Sequence, residues 1–159
     1  MHWSSRAGRA ALLGVALAAP LRGQALTATE LGVGALATWA HRDFYGVGIE
    51  LGVRPSSDGR LSVSADGGSV DGHAGMRVEA TAQFLVTPSA KTGMSPYVGV
   101  GVAYVGSRAY RGMGGLVVLV GCESAAGRRR GWFGEVGLGD GLRLRVGWRW
   151  RNFPGWWAP

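Results

Sequence analysis

The segment Gly141–Arg151, which reads GLRLRVGWRWR, alternates between two kinds of side chain. Successive side chains of a β-strand point to opposite faces, so this period of two residues predicts a strand with two different faces. The cationic face carries Arg143, Arg145, Arg149 and Arg151, with Gly147 among them, and the apolar face carries Leu142, Leu144, Val146, Trp148 and Trp150. A chain with such a strand needs a fold in which cations and apolar groups meet different environments.

The same period recurs throughout the chain after Ala25. Six further segments alternate: residues 30–40, 45–54, 60–66, 77–86, 97–106 and 131–140. Residues 115–123, GLVVLVGCE, carry a continuous apolar run instead of alternating, so the period does not assign their faces. Clusters of Gly, Pro, Ser and Asp separate the segments, including a predicted loop at residues 66–73 and a tight Asp-Gly hairpin signal at residues 139–141. The pattern predicts an all-β chain of about eight strands near ten residues each, the length of a tilted membrane strand.

The composition of the two faces predicts which face points outward. In an outer-membrane barrel, apolar residues meet lipid and polar residues fill the interior. Glycine is frequent on the non-apolar face, as a cramped eight-stranded interior requires. The glycines on that face are Gly32, Gly34, Gly46, Gly48, Gly52, Gly99, Gly101 and Gly137. We therefore expect an antiparallel up-and-down transmembrane β-barrel, closed around its polar face.

Charges of both signs share the predicted interior face. Arginine buried in a narrow lumen needs carboxylate partners, and Glu135 lies on the strand that hairpins onto the arginine-rich segment. Glu30 and Arg60 lie on the same face. The predicted lumen charge network consists of Glu50, Asp66, Arg77, Glu79, Glu135, Arg143, Arg145, Arg149 and Arg151. This network would plug the lumen.

Aromatic residues on the apolar face lie towards the strand ends, where membrane proteins place interfacial girdles. The predicted girdle consists of Trp39, Tyr45, Tyr104, Trp132, Trp148 and Trp150.

The first 25 residues have the features of a secretory signal peptide. Arg6 and Arg9 precede an apolar run of about ten residues, and the small residues Gly23 and Ala25 form a cleavage site. We expect export through the Sec pathway, removal of residues 1–25, and a mature barrel of residues 26–159. Cys122 is the single cysteine, which excludes an intrachain disulfide.

Two segments resemble the small eight-stranded outer-membrane barrels of the OmpA/OmpX type. They are Ser95–Gly106, SPYVGVGVAYVG, and the arginine–tryptophan segment, and the resemblance covers Thr27 to about Phe153. It implies both termini in the periplasm, contact with outer-membrane lipid and lipopolysaccharide, and insertion by the outer-membrane assembly machinery. That machinery reads a terminal aromatic residue, a role for which Phe153 and Trp157 are the candidates.

We expect a structural or membrane-integrity role for a monomer without catalysis. No residue pattern predicts a cofactor, a metal site or a nucleic-acid partner, and the short cationic run Arg128–Arg130 is typical of a solvated surface.

Two alternatives stay open. The histidines His41 and His73 fall in predicted loops at the same end of the barrel, and His73 with Asp71 and Ser69 could imitate a rim enzyme that modifies lipid A. A soluble periplasmic barrel would instead point its apolar face inward and bind a small apolar ligand.

Overall fold

A computed structural model describes residues 25–158 and folds them into eight antiparallel strands. Except for Ala25, the predicted signal peptide lies outside the described residues. The strands are β1 Ala28–Ala40, β2 Phe44–Arg54, β3 Gly59–Val70, β4 His73–Leu85, β5 Met94–Ser107, β6 Met113–Ser124, β7 Arg130–Leu138 and β8 Gly141–Asn152. Within residues 25–158 there is no helix that is long and apolar enough to cross a membrane.

Each strand pairs with the next along the chain, and β8 pairs with β1 to close the barrel. The closing register runs from Thr29 opposite Asn152 to Ala40 opposite Gly141. Closure leaves no unpaired strand edge, because every backbone ladder finds a partner. The predicted all-β, eight-stranded antiparallel barrel is confirmed.

The apolar faces of the strands point outward. Val47, Leu116 and Leu138 are 68%, 74% and 65% exposed, whereas the arginines of β8 are almost completely buried. The structure therefore has the apolar face outward and the polar face inward, as predicted. The alternative barrel, in which the apolar face lines a ligand cavity, has the reverse arrangement.

The two ends of the barrel are both covered by short connections. The terminal end carries the start of β1, the end of β8 and the turns at residues 55–58, 86–93 and 125–129. The distal end carries the turns at residues 41–43, 71–72, 108–112 and 139–140.

The predicted loop at residues 66–73 is wrong, because β3 continues to Val70 and β4 begins at His73. The chain reverses at Asp71 and Gly72, whose φ angles are 47° and 82°. Two consecutive positive φ angles define a type I′ turn, which matches the twist of the flanking strands and suits Asp-Gly. A two-residue turn of this kind leaves the neighbouring glycines and serines free to extend the hairpin.

The predicted hairpin at residues 139–141 forms, but without a primed turn, since neither Asp140 nor Gly141 has a positive φ. The carboxylate of Asp140 accepts hydrogen bonds from the guanidinium of Arg77 at 2.9–3.1 Å. This contact holds Asp140 over the barrel mouth. The conformation of the turn therefore depends on the ion pair as well as on the local preferences of its residues.

Strand β6 supplies both faces with apolar groups, which explains its continuous apolar sequence. Val117 and Leu119 are buried and pack in the interior with Leu85 and Tyr97. Leu116, Val118 and Val120 point outward. This phase places Glu123 inside the barrel.

Candidate functional site: the charged lumen

The barrel interior holds a dense set of buried ionic side chains. The inward positions of the strands carry them, because alternation sends every second residue into the lumen. The buried arginines are Arg54, Arg60, Arg77, Arg143, Arg145, Arg149 and Arg151. The buried carboxylates are Glu30, Glu50, Asp66, Glu79, Glu123 and Glu135. With Asp140 at the distal mouth, seven carboxylates balance seven guanidinium groups.

Glu123 is the centre of the network near the terminal end. Its carboxylate accepts hydrogen bonds from Arg60 at 2.7 Å, Arg149 at 2.6 Å and Arg151 at 2.8 Å. Arg54 donates a fourth at 3.2 Å. Four cations from β2, β3 and β8 thus converge on one side chain of β6.

Glu30 lies within 3.6 Å of all four of these cations, and its closest contacts are with Arg54 and Arg60. Its Oε1 accepts a hydrogen bond from Nε of Arg54 at 2.6 Å. Its Oε2 lies 2.7 Å from Nε of Arg60, close enough for an ion pair but without hydrogen-bond alignment. Glu30 therefore links β1 to the cluster around Glu123.

A second cluster surrounds Glu79 nearer the distal end. Arg77 and Arg143 each contact its carboxylate at 2.7 Å. Arg143 also donates to Glu135 at 2.7 Å, and the hydroxyl of Tyr97 donates to the other oxygen of Glu135 at 2.9 Å. Glu135 thereby connects β7 with both β5 and β8.

Arg149 links the two clusters, because it lies 2.6 Å from Glu123 and 4.0 Å from Glu135. Arg149 donates to Glu50 at 2.7 Å and lies 4.3 Å from the ring centroid of Phe133. Arg145 donates to Asp66 and to the hydroxyl of Ser64, each at 3.0 Å. All nine side chains of the predicted network therefore lie inside the barrel with at least one partner of opposite charge.

Five members of the network lie outside the predicted nine. Glu30, Arg54 and Arg60 fall on the same inward face by the two-residue period, whereas the period does not assign Glu123 and Asp140. The face of Glu123 could not be assigned, because the apolar run before it does not alternate. Asp140 could not be assigned because it lies in a turn. Counting back by two from Tyr97 places Ser95 on the inward face of β5, and Ser95 pairs with Glu123. The phase of β6 therefore follows from that of β5 only when the β5–β6 register is known. For Asp140 the alternation carries no information.

The network leaves the lumen filled and electrically neutral. At the distal end, Leu36, Phe44 and Val70 form a small buried apolar layer. At the terminal end, the chain after β8 folds back, and the indole nitrogen of Trp157 donates to the carbonyl of Gly127 at 2.9 Å. An isolated buried charge would be costly, whereas paired charges that also satisfy each other's hydrogen bonds are tolerated. The arrangement can brace all the strands against one another from within.

The candidate rim residues at the distal end are not joined into a catalytic relay. The Nδ1 of His73 lies 3.1 Å from the backbone carbonyl of Asp71, and its ring packs edge-on against Tyr110. The carboxylate of Asp71 instead accepts a hydrogen bond from the backbone N–H of Asp43 at 2.9 Å. His41 and His73 do share this end, as their loops were predicted to do.

Among residues 25–158, no group of three or more His, Cys, Asp or Glu side chains is placed to hold a metal ion. Cys122 is half-buried on the outward face of β6.

The six aromatic residues assigned to a girdle all point outward, with 40–53% of each side chain exposed. They form two groups. Trp39, Tyr45 and Tyr104 lie towards the distal end, and Trp132, Trp148 and Trp150 lie towards the terminal end.

Known proteins match this chain in fold and not in sequence family. No family model and no curated protein matches it. The N-terminal β-barrel domain of OprF from Pseudomonas aeruginosa superimposes with a TM-score of 0.61 at 16% identity, covering 77% of this chain and 97% of that domain. Neisserial surface protein A superimposes with a TM-score of 0.54 at 15% identity, covering 78% of this chain and 96% of that protein. The chain therefore has the fold of the small eight-stranded outer-membrane barrels, as the sequence resemblance indicated.

Proposed function

We propose that this chain is an integral outer-membrane β-barrel with a structural or membrane-integrity role and no catalytic activity. The observation that carries the proposal is the inverted distribution of side chains. Large apolar groups cover the outside of the barrel, and balanced, ion-paired charges fill the inside. Such an exterior is unfavourable in water and favourable in lipid.

The spacing of the aromatic groups supports a membrane-spanning orientation. On the β1–β8 pair, Trp150 lies opposite Leu31, and Trp39 follows eight positions further along β1. At about 3.3 Å per residue and a tilt of about 40°, the two groups are roughly 20 Å apart along the barrel axis. This separation is close to the height of the apolar band of outer-membrane barrels, about 25 Å.

Similarity in fold to outer-membrane barrels supports a location in the same membrane and insertion by the assembly machinery. The signal-peptide features of residues 1–25 support export through the Sec pathway. A periplasmic terminal end would present Phe153 and Trp157 to that machinery, and lipopolysaccharide would surround the distal end. The ion-paired lumen supports a structural role, because its charges find their partners on other strands of the same chain. In this proposal the barrel acts as a monomer.

The proposal is tested by expressing the full chain with residues 1–25 in a Gram-negative host. The outer membrane is then separated from the soluble periplasm, and boiled and unboiled samples are compared on a gel. We expect the protein in the outer membrane, with a mobility that shifts on heating. A soluble periplasmic protein without a heat shift would contradict the proposal.

The matched control lacks residues 2–25. It should remain in the cytoplasm and show no heat-shifted form, which separates membrane insertion in the cell from non-specific adsorption to membranes during lysis.

A further inference from the structure

The charges outside the lumen are concentrated at the ends of the barrel, and the terminal end is strongly basic. Its turns carry Lys91 and the run Arg128–Arg130, whereas Asp58 is the acidic residue in those turns. The positive and negative charges of the lumen side chains cancel. The surplus positive charge of the mature chain therefore lies at the two rims. The terminal rim therefore produces a positive field outside the barrel.

Backbone contacts hold these cations together on a firm scaffold. The N–H of Ala125 donates to the carbonyl of Gly93 at 2.9 Å, and the N–H of Gly127 donates to Ala90 at 2.8 Å. These two bonds join the turn that carries Lys91 to the turn that carries the arginines. The rim thus needs little further ordering to present its charges.

Arg151 of the lumen network holds the backbone of the arginine run in place. The guanidinium of Arg151 donates to the carbonyl of Arg128 at 3.2 Å, and the backbone N–H of Arg151 donates to the carbonyl of Arg129 at 2.6 Å. The side chains of Arg128, Arg129 and Arg130 are themselves exposed. Within residues 25–158, no carboxylate forms an ion pair with Lys91 or with these three arginines. The ammonium of Lys91 donates to the carbonyl of Ala158 and lies 4.9 Å from the ring centroid of Trp157, so the three arginines are the cations that point freely outward.

The basic rim adjoins the aromatic group of the terminal end. Arg130 begins β7 on the same outward face as Trp132, and its partner on β8 is Trp150. A shallow groove runs from Lys91 past the arginines to Trp148. Tryptophan at this position marks the level of lipid head groups, so the cations lie where phosphates of the adjoining leaflet would be.

We propose that the terminal rim, defined as Lys91 and Arg128–Arg130, binds the phosphate groups of anionic phospholipids in the leaflet at that end. The inference rests on the proposed membrane-spanning function. Exposed arginines without protein partners are complementary to phosphate, which they bind through paired N–H groups. The adjoining tryptophans favour a lipid over a soluble anion, because they place the groove beside the acyl-chain boundary.

The experiment uses the mature chain, residues 26–159, folded into nanodiscs of phosphatidylcholine with a minority of phosphatidylglycerol. The protein is released into mild detergent, and native mass spectrometry counts the retained lipids of each kind. We expect phosphatidylglycerol to be enriched about fivefold over its share of the bilayer, the ratio that one rim cation near a lipid phosphate provides. The triple variant Arg128→Gln, Arg129→Gln, Arg130→Gln should lose most of this enrichment.

The matched control removes the same charge from the distal end through Arg42→Gln, Arg108→Gln and Arg111→Gln. It should retain the enrichment, since those arginines lie at the other rim. Equal retention by the wild type and the terminal-rim variant, with a normal heat shift in both, would overturn the proposal.

Failure of the membrane proposal itself gives a different result. A chain that does not insert into nanodiscs shows no heat-shifted band in any variant, whereas a failed lipid proposal leaves that band intact.

Discussion

At the scale of single residues, Glu123 has the most demanding environment in the barrel. One carboxylate, fully buried, receives four guanidinium groups from three other strands. Glu30 and Glu50 neutralise part of this charge, but Arg151 has its shortest contact to Glu123 itself. Removing the negative charge of Glu123 would leave several cations close together without compensation.

We predict that Glu123→Gln lowers the free energy of unfolding from lipid vesicles by about 3–5 kcal/mol. Breaking a buried ion pair has this cost because it leaves the partner cations buried without a counter-charge. Urea titration of vesicle-inserted protein, followed by the heat-shifted band, measures this quantity. Asp58→Asn is the matched control, since Asp58 is an exposed acid at the same end of the barrel. Equal stability of the two variants would show that Glu123 does not hold the cluster together.

At the scale of strands, close approach between neighbouring paired strands explains glycine at two inward positions. A methyl group added to Gly48 of β2 would lie 2.1 Å from the carbonyl oxygen of Ala65 and 2.6 Å from the Cα of Asp66 on β3. A methyl group on Gly101 of β5 would lie 2.1 Å from the carbonyl oxygen of Ala80 on β4. Both obstacles are backbone atoms, which cannot rotate away.

Gly48→Ala is therefore expected to cost about 1–3 kcal/mol of stability through overpacking. Gly134→Ala is the matched substitution on β7, where an added methyl group meets no atom within 4 Å. That change should be neutral or stabilising by up to about 1 kcal/mol, because alanine restricts the unfolded chain. Unfolding of both variants in the same vesicles compares them, and a Gly48→Ala protein as stable as Gly134→Ala would refute the close packing of β2 on β3.

The sequence predicts strands well where the two faces differ and poorly where they match. Seven segments alternate between apolar and small or charged residues, and their faces in the structure follow that alternation. In β6, Val117 and Leu119 fill an apolar part of the lumen, so the inner face is as apolar as the outer one. The alternation disappears there, and with it the information that Glu123 points inward.

The partners within the lumen are also beyond local sequence reasoning. Arg149 and Glu50 are ninety-nine positions apart, and Ser64 and Arg145 are eighty-one apart. Their meeting depends on closure of the barrel and on strand tilt, neither of which a two-residue period specifies. Glu135 and Arg143 could be paired in advance because one hairpin connects them.

At the scale of the whole molecule, the barrel is turned inside out relative to a soluble protein. Its charged side chains form a neutral interior, its apolar side chains form the exterior, and aromatic groups separate that exterior from both rims. The stability of such a molecule depends on the solvent around it. In lipid the apolar exterior lies against apolar acyl chains. In water the same surface would drive barrels to associate with one another.

Substitution of single outward residues by arginine at two depths tests this inversion directly. Val100, 59% exposed, lies between the two aromatic levels on β5, and Met113, 49% exposed, lies at the distal end of β6. The measurement is the free energy of unfolding of Val100→Arg and Met113→Arg from lipid vesicles. If the exterior faces lipid, Val100→Arg should cost about 2–4 kcal/mol and Met113→Arg about 0–1 kcal/mol. If both substitutions change stability by less than about 0.5 kcal/mol, as at a water-exposed surface, the exterior does not face lipid.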